Sequence, residues 1–133
     1  MKRIQLLVSI LILNAQLSYS QDAESLFKKG DSLYKIKDYK NSAIAYSAGI
    51  KIQGKQTDES NYWRAASRWA LAKVPDSTFY FLELLSKSSN ISQGDVNGIV
   101  GDKDFNSVQS DNRWTPIMEK IMKEPRLFIM VLL

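Results

Sequence analysis

Residues 23–54 read AESLFKKGDSLYKIKDYKNSAIAYSAGIKIQG, and apolar residues recur three, four and seven positions apart on both sides of a polar break at Lys37-Asp38. This spacing is typical of amphipathic helices. The first helix carries such residues at Ala23, Leu26, Phe27, Gly30, Leu33 and Tyr34, and the second at Tyr39, Ala43, Tyr46 and Ile50. Gly54 is suited to end the second helix. The stretch therefore predicts a helical hairpin.

Two further helices are predicted directly after this hairpin. Candidate N-caps for the third helix are Thr57, Asp58 and Ser60. Pro75 cannot continue that helix, and Asp76 or Ser77 is expected to cap the fourth. The fourth helix is apolar on nearly every side, so it is expected to be covered by more than one neighbour.

The remainder of the chain is predicted to be a loop followed by two short helices. Ser, Asn and Gly dominate residues 86–101, which favours a loop with at most one turn at 95–99. A short helix is expected at 105–109. A longer one is expected to have Thr115 as its N-cap and to end at Pro125.

The first hairpin resembles the tetratricopeptide repeat, and the second hairpin, at 61–85, resembles it less closely. The matching positions are Leu26, Gly30, Leu33, Ser42, Tyr46 and Gly49 in the first, and Ala66, Ser67, Thr78, Leu82 and Leu85 in the second. Lys29 departs from the pattern, no proline marks the repeat end, and one residue is expected to be missing at the second turn. The resemblance implies an all-α fold, a short α-solenoid of two tetratricopeptide-like hairpins plus a C-terminal capping helical segment.

The segment 102–114, DKDFNSVQSDNRW, resembles the closing cap of tetratricopeptide-like regions in exported bacterial proteins. Repeat arrays usually need about three units, because one repeat cannot bury its own apolar face. Only two are visible here. We therefore expect a helical domain at 21–124 whose cap, at 102–124, replaces the third unit, with Phe105 and Trp114 as the buried plug.

The N-terminus has the pattern of a secretory signal peptide at residues 1–20. Lys2 and Arg3 precede an apolar run at 6–13, and small residues follow at Ser18 and Ser20. A retained membrane anchor would need roughly 20 predominantly apolar residues, and polar residues interrupt this run. The expected location is secreted or periplasmic, with no stable membrane anchor after cleavage.

The net charge of the chain gives no reason to expect a nucleic-acid partner. Without Lys2 and Arg3 the 18 basic residues fall to 16 against 14 acidic residues, so the net charge falls from +4 to +2. Phosphate binding depends on concentrated Lys and Arg, and this balance does not supply it.

The apolar ending at 125–133 admits two interpretations. Either it packs against the core, or the chain is truncated within a larger protein, since an exposed apolar terminus would promote aggregation. Sequencing the DNA beyond codon 133 would separate the two.

The chain contains neither cysteine nor histidine. Ser-His-Asp triads, thiolate nucleophiles and His- or Cys-ligated zinc are therefore excluded. Asp102, Asp104 and Asn106 begin like a calcium loop, but Ser107 stands where glycine is needed and Arg113 where the bidentate glutamate belongs. Helix capping is the preferred role of Asp102, Asp104 and Asp111, and no metal or cofactor is expected. Glycoside hydrolysis needs two carboxyl groups at a defined separation, and nothing in the sequence sets the separation of its acidic residues. No catalytic residue is therefore predicted.

The resemblance implies a partner-binding groove lined by the first helix of each hairpin, here by Phe27, Asp31, Tyr34, Arg64 and Arg68. Two arginines one turn apart beside aromatic residues would suit a carboxylate or an acidic peptide. Ordinary solvated helix residues are the alternative. The predicted function is an exported, non-enzymatic interaction or scaffold module for a protein or peptide; alternatively, the chain is the N-terminal accessory domain of an exported enzyme. The oligomeric state is left open.

Overall fold

A computed structural model describes residues 2–88, 91 and 93–122. Every regular element within these ranges is helical, so the predicted all-α class is confirmed. The elements are α1 (Lys2–Lys35), α2 (Tyr39–Gln53), a 3-10 turn (Gly54–Gln56), α3 (Glu59–Leu71), α4 (Pro75–Ser86), α5 (Gln93–Gly101), a second 3-10 turn (Lys103–Phe105) and α6 (114–122). The predicted tail at 125–133 lies outside the described residues.

The turn between α1 and α2 forms at the predicted break. Lys37 adopts a left-handed conformation with φ 63°, and its backbone N–H donates to the carbonyl of Tyr34 at 2.9 Å. The N–H of Asp38 donates to the carbonyl of Leu33 at 2.9 Å, which completes a Schellman motif. Asp38 then caps α2 by accepting a hydrogen bond from the N–H of Asn41.

The turn between α3 and α4 repeats this geometry 36 residues later. Lys73 is left-handed with φ 58°, and its N–H donates to the carbonyl of Ala70 at 3.0 Å. The N–H of Val74 donates to the carbonyl of Trp69, also at 3.0 Å. Since both turns use the same bonds at the same offset, the expectation that one residue is missing at the second turn is wrong.

The start of α4 also differs from the prediction. Val74 is the N-cap and Pro75 is the first helical residue, where the missing proline N–H costs nothing because no intrahelical acceptor awaits it. Thr78 donates to the carbonyl of Val74 through both its N–H, at 3.1 Å, and its hydroxyl, at 3.0 Å. Asp76 and Ser77 are therefore not the caps. Of the three candidates for α3, Asp58 is the N-cap.

Small residues let α1 and α2 approach closely. A Cβ at Gly30 would lie 2.5 Å from Cδ2 of Tyr46, and a Cβ at Gly49 would lie 2.5 Å from Cε1 of Phe27. The two rings contact each other with centroids 5.3 Å apart. Buried Ser42 adds a 2.6 Å hydrogen bond from its hydroxyl to the carbonyl of Gly30. The first hairpin is thus stabilised by two aromatic rings, each of which packs on a glycine of the opposite helix.

Glycine-rich residues 93–101 form α5 rather than the predicted loop. Ile99 is buried, and a Cβ at Gly98 would lie 2.9 Å from the ring of Trp63. The glycine here allows close packing against α3, so it is not a loop signal. The predicted helix at 105–109 is instead the 3-10 turn Lys103–Phe105 followed by further turns, and α6 begins one residue before Thr115.

The segment 102–122 shares one core with the hairpins. Phe105 is fully buried, and its ring lies 5.5 Å from that of Trp114. Buried residues that belong to the same apolar cluster include Tyr46, Ala66, Leu82, Leu85, Val108, Ile117, Met118 and Ile121. Phe105 is therefore part of the shared core, and Trp114 packs against that core while remaining partly buried.

Helix α1 runs without interruption from Lys2 to Lys35. Apolar side chains near its start are exposed, among them Ile4, Leu6, Leu7, Val8, Ile10 and Ile12. Among the described helices, none is long and apolar enough to cross a membrane. The signal peptide at 1–20 stays a prediction.

Candidate functional site

Four of the five predicted groove residues lie together, on the side of the molecule where α1 and α3 meet. The Asp31 carboxylate lies between two arginines, with its Oδ2 3.7 Å from Nη1 of Arg64 and its Oδ1 3.6 Å from Nη2 of Arg68. Tyr34 lies beneath Arg68, with its ring centroid 4.0 Å from the guanidinium carbon. The side chains at 31, 34, 64 and 68 therefore form one polar cluster.

Phe27, the fifth predicted residue, lies elsewhere. Its side chain is 5% exposed and packs against Gly49 and Tyr46 within the α1–α2 interface. The ring faces α2, because Gly49 leaves the space that it occupies. Phe27 is a core residue, so the expectation that it lines a groove is wrong.

Tyr46 belongs to the cluster although the sequence suggested only a packing role for it. Its hydroxyl donates to Oδ1 of Asp31 at 2.6 Å and accepts from Nη1 of Arg64 at 3.3 Å. Its ring is fully buried. Burial, followed by the bond to the Asp31 carboxylate, raises the pKa of Tyr46, so the phenol stays protonated and keeps donating.

Arg68 is the buried arginine of the pair. Its side chain is only 12% exposed, and its guanidinium stacks on Tyr34 and approaches the ring of Tyr46 at 5.4 Å. Nη1 donates to the hydroxyl of Ser67 at 2.8 Å. Cation–π contacts of this kind stabilise most when the cation is desolvated. Arg68 therefore holds α1 and α3 together and is poorly placed to meet a partner.

Arg64 is the accessible arginine. Its side chain is 47% exposed, and its hydrogen bond to the hydroxyl of Tyr46 is the main cause of its raised pKa. The 3.7 Å separation from Asp31 is longer than a hydrogen bond. The Tyr46 hydroxyl thus orients the guanidinium through Nη1, while part of the Arg64 side chain faces solvent.

The cap closes one end of this cluster. The Tyr34 hydroxyl donates to Oδ2 of Asp104 at 3.0 Å, and the indole N–H of Trp63 donates to Oδ2 of Asp102 at 3.1 Å. A third bond runs from the hydroxyl of Ser107 to the carbonyl of Ala70 at 2.8 Å. The start of the cap therefore binds α1 through Tyr34 and α3 through Trp63 and Ala70.

The three aspartates of the segment 102–114 make contacts within the protein. Asp102 is the N-cap of its 3-10 turn and accepts from the N–H of Asp104 at 2.9 Å. Burial, with a smaller contribution from the Asp102 charge, raises the pKa of Asp104. Asp111 binds Arg113, which lowers the pKa of Asp111 to about 2. In the part of the chain that is described, acidic residues form no cluster of three that could hold a metal ion.

The cluster is suited to electrostatic recognition. The negative charges of Asp31 and Asp104 lie close to the positive charges of Arg64 and Arg68, so the site carries little net charge. What reaches solvent is the half-exposed guanidinium of Arg64 and the partly exposed carboxylate of Asp31. Such a pair can exchange its internal contact for an external one, since ion pairs this exposed contribute only about 0–1 kcal/mol.

The two arginines should differ in their effect on stability. We expect Arg68→Ala to lower the free energy of unfolding by about 2 kcal/mol, because it removes a buried cation from two tyrosine rings and leaves Asp31 less well paired. Arg64→Ala should cost less than about 1 kcal/mol. Urea unfolding followed by circular dichroism measures both. Equal losses for the two variants would contradict the assignment of Arg68 as the structural residue.

Comparison with known proteins adds no assignment, since no family model, curated protein or solved structure matches the chain significantly. The tetratricopeptide resemblance therefore rests on the residues of this chain.

Proposed function

We propose that the protein is an exported, non-enzymatic interaction or scaffold module that binds a peptide or protein partner through the face formed by α1 and α3. The observation that carries this proposal is the position of Arg64. Its guanidinium is half exposed, with the Tyr46 hydroxyl orienting it at 3.3 Å and its ion-pair partner Asp31 farther away, at 3.7 Å. Preorganised arginine is well suited to a carboxylate, because its planar fork matches the two oxygens.

The proposed architecture is a short α-solenoid of two tetratricopeptide-like hairpins with a C-terminal cap. The 36-residue offset supports it, because it relates the left-handed residues Lys37 and Lys73. The same offset relates Gly30 to Ala66, both of which are buried in their first helices. Solenoids present extended surfaces for partners, which is consistent with a binding role.

Export is proposed from the N-terminal pattern. The apolar side chains of Ile4, Leu6 and Leu7 are exposed, and none belongs to the apolar core formed by the described residues, which fits a segment that is recognised by an export system and then removed. Secretion from a host that carries the unmodified gene, followed by N-terminal sequencing, would test cleavage before Gln21.

Partner binding is best tested with acidic peptides. An immobilised chain of residues 21–133 is probed with a random library of acidic peptides. The affinity of each retained peptide is then measured for the unchanged chain and for the Arg64→Glu variant. The substitution should weaken their binding about tenfold or more, because it turns an attraction into a repulsion. Peptides that bind Arg64→Glu as well as the unchanged chain would contradict the assignment.

Two controls make this experiment specific. Lys40→Glu makes the same charge change at an exposed residue in the first turn of α2, and it should leave binding nearly unchanged. Arg68 is left intact in every variant, because its replacement is expected to destabilise the fold. Circular dichroism of each variant confirms that the helices are retained.

A further inference from the structure

An open cleft of about 590 Å³ lies where α2, the 3-10 turn that follows it, α3 and α4 meet. We call it the α2–α4 cleft. Ile50 of α2 and Phe81 of α4 line it and are almost fully buried, so they form its floor. Tyr62 and Leu84 are partly exposed and Tyr80 is 61% exposed, so these three meet solvent. The volume is in the range of about 300–1,000 Å³ that is usual for small-molecule sites.

The body of the cleft suits an apolar ligand. Three of the residues that line it are aromatic, and the ring of Tyr80 packs edge-on against that of Phe81 with centroids 5.0 Å apart. The hydroxyl of Ser47 also lines the cleft, but it already accepts from the indole N–H of Trp69 at 2.9 Å and donates to the carbonyl of Ala43 at 2.8 Å. An alkyl or aryl group would therefore be buried here mainly against apolar atoms, which is favourable.

Two lysines give the cleft a positively charged side. Lys51 in the last turn of α2 and Lys55 in the 3-10 turn both line it and are exposed. Neither ammonium group forms an ion pair or a hydrogen bond with a described residue. No acidic residue is among the described residues that line the cleft. A carboxylate could therefore gain charge-assisted hydrogen bonds here without displacing an internal partner.

The cleft between α4 and α6, which has a volume of about 430 Å³, differs in this respect. Its two cations are paired within the protein. Nζ of Lys120 lies 2.9 Å from Oε1 of Glu83, and Nη2 of Arg113 lies 2.8 Å from Oδ2 of Asp111. An anion would have to compete with these carboxylates, so the unpaired lysines distinguish the α2–α4 cleft.

We propose that the α2–α4 cleft binds a small amphipathic carboxylate. Its alkyl or aryl body lies on Ile50, Phe81 and the two tyrosines, and its carboxylate binds Lys51 and Lys55. A small ligand is favoured over a protein partner because nine residues line the cleft, whereas a stable protein interface uses about 20–30 residues a side. The lining shares no residue with the polar cluster around Arg64, so this inference does not depend on the proposed function.

Decanoate is a suitable probe, and its binding to an isotope-labelled chain of residues 21–133 can be followed by NMR. This chain keeps every described residue of the apolar core. Amide signals of residues 47–55, 62 and 80–84 should shift most. The double variant Lys51→Gln, Lys55→Gln should weaken binding about tenfold or more, because it removes both positive charges. Tyr80→Ala should weaken it about threefold or more, because it removes an apolar contact.

The chain supplies a matched control for each variant. The double variant Lys35→Gln, Lys40→Gln makes the same charge change at exposed residues outside the cleft. Ile44→Ala removes an exposed apolar side chain from the first hairpin. Both controls should change binding less than about twofold, and the NMR spectrum of each variant reports whether the fold is retained.

Two further ligands test the chemistry of the site. Decyltrimethylammonium has the same alkyl chain with a positive charge and should bind at least about tenfold more weakly. Naphthoate replaces the alkyl body by an aryl one, and the tighter of the two carboxylates identifies the preferred body.

Several outcomes would overturn the proposal. They are equal losses in the two lysine double variants, equal binding of decyltrimethylammonium, shifts spread over the whole chain, and absence of binding by either carboxylate at about 10 mM. A dimer that buries the cleft and excludes decanoate would also overturn it, in favour of a second copy of the chain.

Discussion

Replacement of Tyr46 by alanine should lower the free energy of unfolding by about 3–5 kcal/mol, which is enough to unfold many domains of this size. The ring is fully buried and fills the space above Gly30. It also packs against Phe27 at 5.3 Å. Truncation would leave a cavity between α1 and α2 that neither backbone can close, because the opposing residue has no side chain.

Loss of the Tyr46 hydroxyl adds a second cost. It leaves Asp31 without its 2.6 Å donor and Arg64 without its acceptor. Tyr46→Phe isolates this contribution, which we expect to be about 1–2 kcal/mol because the bond involves a charged group at a partly buried site. Urea unfolding followed by circular dichroism measures both variants. Tyr80→Ala, at an exposed tyrosine, serves as the control; a loss for Tyr46→Ala no greater than for Tyr80→Ala would contradict the role of Tyr46.

The second large effect is expected at Phe105, where alanine should also cost about 3–5 kcal/mol. The side chain is fully buried among residues of the hairpins and of α6. It lies next to Asp102 and Asp104, whose carboxylates hold Trp63 and Tyr34. Loss of the ring would therefore weaken the attachment of the cap to α1 and α3. Val100→Ala, at a half-exposed position of α5, is the control and should cost less than about 1 kcal/mol.

The hairpins could be predicted from the sequence because their signals are local. Apolar spacing placed α2 at Tyr39–Gln53, and Gly54 ends it with φ 58°. The prediction for the start of α4 was wrong because Pro75 is the first residue of α4, whereas α3 already ends at Leu71, before the left-handed Lys73. The loop prediction was wrong at Gly98 because a glycine is needed there for close packing against the ring of Trp63. That contact joins distant segments of the chain. Local chemistry gives the elements, whereas tertiary contacts decide what each glycine or proline does.

The candidate site was predictable in part for the same reason. Asp31, Tyr34, Arg64 and Arg68 come together because they share faces of α1 and α3. Which arginine is buried could not be read from their spacing, since both lie on one side of α3. The stacking of Arg68 on Tyr34 decides it. The role of Tyr46 was missed because its hydroxyl reaches Asp31 across two packed helices.

Native-state hydrogen exchange on Phe105→Ala tests most directly whether the cap and the two hairpins form one cooperative core. The slowest-exchanging amides report global unfolding. If the core is shared, amides of α1 and α3 should lose protection by the same 3–5 kcal/mol or so as those of the cap. Loss of protection confined to residues 91–122, with α1 to α4 unchanged, would contradict the shared core.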